Sequence, residues 1–165
     1  MPPTPPVRPP PVPVPVRAAD TPALREAAFR LREEVFVGEQ HVPVELERDE
    51  HDGGAFHAVA LGPDGSVVGT GRLLVQADGS GRIGRMAVAA AWRRGGVGAR
   101  VLEALEAEAR ARRMPAIELH AQCYVEAFYA RAGYARAGEP FEEAGIDHVV
   151  MRKVLRSSPS PGAAS

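Results

Sequence analysis

Between Met86 and Leu102 the chain reads M-A-V-A-A-A-W-R-R-G-G-V-G-A-R-V-L. A short apolar run leads into Arg93 and Arg94, then into Gly95, Gly96 and Gly98, then into a helical pattern. Glycines let a backbone approach a ligand closely and take positive φ where required. The first turn of a helix leaves its amides without carbonyl partners, and the helix dipole adds positive potential there. Two arginines beside such amides make an anion site, and a pyrophosphate is the natural guest. A P-loop is excluded, because no Lys or Ser follows Gly98 as G-x-x-x-x-G-K-[ST] requires. A dinucleotide fingerprint fits poorly, since Gly96-Val97-Gly98 lies well past the strand end and Val101 replaces the third glycine.

Proton-transfer chemistry has several candidates: Glu39, Glu45, Glu47, His57 and His120. An unperturbed imidazole titrates near pH 6.5, which suits a base working at neutral pH. His120, near the end of the strand pattern A-I-E-L-H-A, is preferred, with Glu39 next. The acidic stretch over 45–52 is expected to be a solvated surface; the alternative is a field that gathers a cationic amine. Cys123 is expected to be an inert, buried thiol. No metal site is expected, because the spacing of Asp49, His51 and Asp52 is unspecific.

These residues need elements to hold them. Pro11-Val12-Pro13-Val14-Pro15-Val16 has period 2, so all three missing amide donors fall on one side. That predicts an edge strand at about 12–18 with an unpaired outer rim. Asp20 or Thr21 can cap a helix that starts at Pro22, and Leu24, Ala27, Ala28, Leu31 and Val35 extend it to about 36. A polar loop follows over 37–54. Strands at 55–61, 66–75 and 82–88, separated by G-P-D-G and A-D-G-S-G, predict an antiparallel meander. A helix from Gly98 to about Arg113 buries Val101, Leu102, Leu105 and Ala109 and is stopped by Pro115. A strand at 116–121, a short helix at 125–132 ended by Gly133, and strands at 134–137 and 146–154 complete the pattern.

The whole chain is 165 residues, one domain's worth, with 45% hydrophobic and 25% charged residues. Twenty basic residues against 21 acidic ones argue against a nucleic-acid partner. Of the basic residues all but Lys153 are Arg, which reads as the codon bias of a GC-rich bacterial genome. No apolar run reaches the roughly 18–20 residues of a membrane span, and the Pro-rich start is unlike a signal peptide. One cysteine excludes an internal disulfide, so a reducing, cytoplasmic setting is expected. The tails, 1–11 and 157–165, are expected to be disordered around a domain at 12–156.

Two ordered motifs resemble those of the GNAT acetyltransferases. R-R-G-G-V-G-A (93–99) is similar to the acetyl-CoA signature R/Q-x-x-G-x-G/A, through Arg93, Gly96 and Gly98. About 30 residues later, A-F-Y-A-R-A-G-Y (127–134) resembles A-x-x-F/L-Y-x-x-x-G-F/Y. The segments at 32–43, 119–122 and 139–148 resemble the ElaA/YjcF-like subgroup. The resemblance implies an α+β fold: a mixed, mostly antiparallel sheet with helices on both faces, splayed where acetyl-CoA enters. It implies that the backbone of Met86, Ala87 and Val88 pairs with the pantetheine arm. Amides from Arg94 through Gly95, Gly96, Val97, Gly98 and Ala99 would hold the pyrophosphate. Gln122 stands where the family often has an Asn on the pantetheine, and Tyr129 matches the frequent general acid for the leaving thiolate. The implied reaction is direct attack of a primary amine, on a small molecule or a peptide, on acetyl-CoA in a ternary complex. The alternative is a non-catalytic acyl-CoA-binding module on the same fold. A monomer or a homodimer fits either.

Overall fold

The computed structural model describes Pro3 and residues 14–155. Both expected tails, apart from Pro3, and the first residues of the predicted edge strand lie outside the described residues. The sheet runs β1 (Val16–Ala18), β2 (Phe56–Leu61), β3 (Val67–Val75), β4 (Gly81–Val88), β5 (Ala116–Gln122), β8 (Ile146–Val154), β6 (Ala135–Arg136), and β7 (Phe141–Glu143) also pairs with β8. All neighbours are antiparallel except β4 and β5. β1 is an edge strand but shorter than the expected 12–18, with the Pro15 carbonyl just before it accepting from the Leu61 amide at 3.0 Å, and β2–β4 form the expected meander.

Two helices cover opposite faces. α1 (Pro22–Arg32) is capped by Thr21, whose hydroxyl accepts from the Leu24 amide at 3.1 Å. It lies over β2–β4, where Ala19, Ala28 and Val59 pack together and Leu31 and Val35 meet Ala87. α3 (Val97–Ala111) lies on the other face, burying Val97, Val101, Leu102, Leu105 and Ala109 against Leu73, Ile83, Ile117 and Leu119. Its close approach depends on Gly69 and Gly71 of β3. A Cβ at Gly69 would stand 2.6 Å from Val97 Cγ1, and one at Gly71 would stand 2.8 Å from Leu105 Cδ1. Among the described residues no helix is long and apolar enough to cross a membrane.

The structure departs from expectation in four elements. The first helix is α-helical only to Arg32 and continues as a π-helix over Glu33–Glu39, closed by the Gln40 amide on the Val35 carbonyl at 3.1 Å. The wider turn keeps Val35 in the core while carrying Glu39 and Gln40 out to the sheet end; π segments often mark functional positions. The loop over 37–54 contains a further short helix, α2 (Val44–Glu47). The helix expected at 125–132 opens with a tighter turn at Cys123–Val125 and becomes α4 only over Glu126–Arg131. β7 was not expected; it turns through Ala144 (φ 52°) and Gly145 (φ 77°) into β8, and no β-rich run announces it.

Candidate active site

The site begins where β4 and β5 part. They pair only over Gly81–Ile83 and Ile117–Leu119, so beyond Ile83 no strand among the described residues pairs with the edge of β4 that faces β5. A bulge marks the opening: Arg85 and Met86 together oppose Gly71, because Thr70 pairs with Ala87 and Arg72 with Gly84. Arg85 takes φ 54° there. Bulges re-aim side chains and end pairing. Here the bulge turns Arg85 toward α2, while Met86 and Val88 pack on the α3 side and Ala87 on the α1 side. The open edge offers main-chain groups to an extended amide-bearing ligand.

The α3 N-terminus stands just beyond. Gly96 is its N-cap in the left-handed region (φ 86°), and Arg94 shares that region at φ 64°. The Arg100 amide is the first to reach a helical carbonyl, that of Gly96, at 3.1 Å, so the Val97, Gly98 and Ala99 amides have no partner within the helix. Left-handed turns feeding such amides create an anion-binding concavity. A Cβ on Gly98 would lie 3.5 Å from Phe128 and 3.7 Å from Val88, which seats this turn over the end of β4. Arg93 folds back: its Nε donates to the Val88 carbonyl at 3.1 Å, and its guanidinium lies 2.7 Å from Glu39. Two residues that the sequence nominated for different work, phosphate contact and base, are therefore joined in one ion pair.

Tyr129 sits on α4, on the α3 side of the sheet, edge-on to Phe128 and Tyr134. Its hydroxyl makes no side-chain hydrogen bond to another described residue. Burial pushes its pKa well above the usual phenol value, so the proton stays on through the physiological range.

The opposite face of β5 and β8 carries a separate polar wall. Ile117, Leu119 and Ala121 point to the α3 core, so Glu118, His120 and Gln122 point the other way. Gln122 exchanges two amide hydrogen bonds with Gln40, at 2.8 and 3.2 Å, and Gln40 also donates to the Tyr124 hydroxyl at 3.1 Å. His120 Nδ1 lies 3.0 Å from an Arg82 guanidinium nitrogen and 3.2 Å from a Glu143 oxygen. His148 pairs across the strands with Gln122, and Phe141 lies between the two histidines, stacked on His148 and edge-on to His120. Sequence reasoning missed Gln40, Phe141, Glu143 and His148. The alternation in β8, with Val149 and Met151 buried in the core, was the signal that sets His148 on the polar face.

The acidic stretch divides: Glu45 and Glu50 are exposed, as a solvated surface requires, whereas Glu47, Asp49 and Asp52 are tied to arginines. Arg32 is 1% exposed; it donates to Glu47 at 2.6 Å and to Asp52 at 2.7 Å. Arg72 binds Asp49 at 2.8 Å and Asp52 at 2.9 Å, and Arg85 reaches the Glu47 carbonyl at 3.0 Å and Asp49 at 3.3 Å. Burial alone would raise the Asp52 pKa; the Arg32 hydrogen bond, with the Asp49 amide and Arg72, outweighs it and holds the carboxyl below its usual range. His57 is not available as a base at this cleft: its Nε2 contacts the Asp52 carbonyl at 2.9 Å, and burial lowers its pKa. The periodic pattern missed this cluster because its partners come from four separate elements. Among the described residues no group of three or more His, Cys, Asp or Glu side chains is placed to hold a metal.

Comparison with known proteins places these features in context. The family model described as an acetyltransferase (GNAT) domain matches residues 19–155. The uncharacterized N-acetyltransferase YjcF of Bacillus subtilis (strain 168) is 41% identical over 128 residues, 76% of this chain and 89% of that protein. The crystal structure of an acyl-CoA N-acyltransferase from Pseudomonas aeruginosa superposes with a TM-score of 0.75 at 33% identity, over 86% of this chain and 99% of the other. Escherichia coli ElaA gives 0.75 at 26% identity, over 85% and 99%.

Proposed function

The chain belongs to the GNAT acetyltransferase family, in its ElaA/YjcF-like subgroup, and we propose that it moves an acetyl group from acetyl-CoA directly to a primary amine. The observation that carries this reading is the opening between β4 and β5, with α3 amides that lack a partner within the helix at its rim. In this reading the diphosphate rests on the amides of Val97, Gly98 and Ala99, within the turn made by Arg94, Gly95 and Gly96. The pantetheine arm lies along Met86, Ala87 and Val88. Arg93 orders the loop by holding the Val88 carbonyl, and Glu39 braces Arg93.

Acid and base work from opposite sides of the sheet. The thioester lies in the opening, with Tyr129 on the α3 side and the polar wall of Gln122, His120 and His148 on the α1 side. An ammonium acceptor must first lose a proton, since an alkyl ammonium titrates near pH 10. The free amine attacks the thioester carbonyl, and a β4 amide near Val88 can stabilise the oxyanion. The C–S bond breaks, and the thiolate takes the Tyr129 proton. No covalent enzyme intermediate is needed. Gln122, already bonded to Gln40, positions the arm from the acceptor side.

Release of CoA thiol from acetyl-CoA across a panel of small amines and peptide N-termini tests the reading. Turnover that falls about 100-fold in Tyr129→Phe, with CoA affinity within twofold of the parent, is the expected result. Absence of thiol release with every amine, from protein that binds CoA, would contradict it.

A further inference from the structure

We propose that His148 Nε2 takes the proton that the acceptor ammonium must lose. The assignment rests on the transferase reading above and adds to it the identity of the base. His148 Nδ1 lies 2.7 Å from the Ile146 carbonyl. A carbonyl can only accept, so Nδ1 carries the hydrogen and the neutral ring keeps its lone pair on Nε2. Among the described residues Nε2 has no hydrogen-bond partner. His148 is 8% exposed as a residue, and its ring is held by Phe141, stacked at 6.0 Å between centroids. It is therefore fixed in one tautomer and one orientation.

Its location is equally specific. His148 is directly across from Gln122, at the end of β5 where the strands have parted. Residues opposite one another in an antiparallel pair share a face, so His148 is on the side away from Tyr129. The other titratable and charged groups on this face are Arg82 from β4, Glu118 and His120 from β5, Arg152 from β8 and Glu143 from β7, with the Tyr124 hydroxyl on Gln40. Asp147 adjoins His148 within β8, and Gln40 approaches, neutral, from the end of the π-helix. His120 is the rival base, but its Nδ1 stands between two incompatible partners. Arg82 can only donate to it, which demands the Nε2–H tautomer, whereas Glu143 can only accept. Arg82 is the nearer partner, at 3.0 Å against 3.2 Å for Glu143, and its contact engages the Nδ1 lone pair of His120, whereas His148 leaves its Nε2 lone pair open.

The protons balance. One N–H proton of the ammonium moves to His148 Nε2, giving an imidazolium whose Nδ1–H still faces the Ile146 carbonyl. The amine nitrogen forms its bond to the acetyl carbon, the C–S bond breaks, and Tyr129 protonates the sulfur. The nitrogen sheds its second proton as the adduct collapses, and water returns it to the Tyr129 oxygen. His148 passes the first proton to solvent. The sum is ammonium plus acetyl-CoA to N-acetylamine, CoA thiol and one proton.

His148→Asn tests this, because its amide N–H can keep the bond to Ile146 while Nε2 is lost. Rates with an amine the parent accepts should fall 100-fold or more at pH 7. The remaining rate should climb tenfold per pH unit, following the free amine alone, while CoA affinity by calorimetry stays within twofold. His120→Gln should keep the parent's profile shape, whatever its height. A profile reduced to the free-amine slope in His120→Gln, or a parent-like profile within threefold in His148→Asn, overturns the assignment. Ring nitrogen-15 shifts give an answer without turnover: neutral His148 should show the Nδ1–H tautomer, and an Nε2–H tautomer overturns the assignment. A parent protein that binds CoA yet acetylates no amine contradicts the transferase reading instead.

Discussion

At the scale of single residues, ion pairs divide the site into parts that move charge and parts that hold still. Glu39 and Arg93 form a half-exposed pair 2.7 Å apart at the mouth of the cleft. Such pairs contribute roughly 0–1 kcal/mol, so the pair orders the loop more than it stabilises the fold. Glu39→Gln should weaken CoA binding a few-fold by calorimetry and leave the shape of the pH–rate profile intact. A profile reduced to the tenfold-per-pH-unit slope of the free amine would make Glu39 the base after all. Deeper in, Asp52 serves Arg32 and Arg72 together, and removing its charge leaves both guanidinium groups short of a partner. Asp52→Asn should cost about 1.5–3 kcal/mol in urea unfolding, the loss of charge-assisted hydrogen bonds, since Arg32 keeps Glu47 and Arg72 keeps Asp49. These pairings span long stretches of chain, 15 residues from Arg32 to Glu47 and 23 from Asp49 to Arg72. No local spacing reveals which Arg meets which acid, so the acidic stretch read as surface. Glycines and the Tyr129 motif were legible because their meaning is local.

At the scale of elements, the depth of α3 on the sheet decides whether its first amides can reach a ligand lying on β4. Gly69 sets that depth at Val97, the first residue of the helix. Val97 is β-branched and stiff at χ1, so it cannot swing aside. Gly69→Ala should therefore push the helix start outward. A loss of about 1–3 kcal/mol of stability is expected from overpacking, together with weaker CoA binding. Thermal unfolding and calorimetry on the same sample check both, and unchanged CoA affinity would separate helix depth from donor binding. Most elements could be read from periodicity: the proline edge strand, the meander, the amphipathic α3. The π-helix could not, because the apolar spacing runs from Leu31 to Val35 as it would in an α-helix, while the bonding widens, as in the Gln40 amide on the Val35 carbonyl. Nor could the bulge, since Arg85 is no glycine and its positive φ is imposed by contacts with α2.

At the scale of the whole molecule, the two faces of one sheet do different work. The α3 face supplies the apolar core and the donor side. The α1 face holds three arginines against three carboxylates and, farther along, the glutamine–histidine wall. Asp49 and Asp52 both have folded pKa values below the unfolded ones. Their contribution is thus complete above the unfolded carboxylate pKa, about 4, and fades as pH falls toward the folded values. Urea midpoints should drop on acidification below about pH 4, and Asp52→Asn should flatten that drop. A dependence unaltered in the variant would place acid sensitivity elsewhere. Cooperation between faces was only partly visible beforehand: the motif order implied the donor side, while the acceptor wall needed the β5–β8 register.

The central claim is that CoA lies in the opening of the sheet with its diphosphate on the start of α3. Titrating CoA into nitrogen-15-labelled protein tests it most directly. The account predicts that the largest amide shifts fall on residues 94–99 and on Met86–Val88, saturating together. Saturable binding that leaves those amides unmoved, or no binding at millimolar CoA, would contradict it.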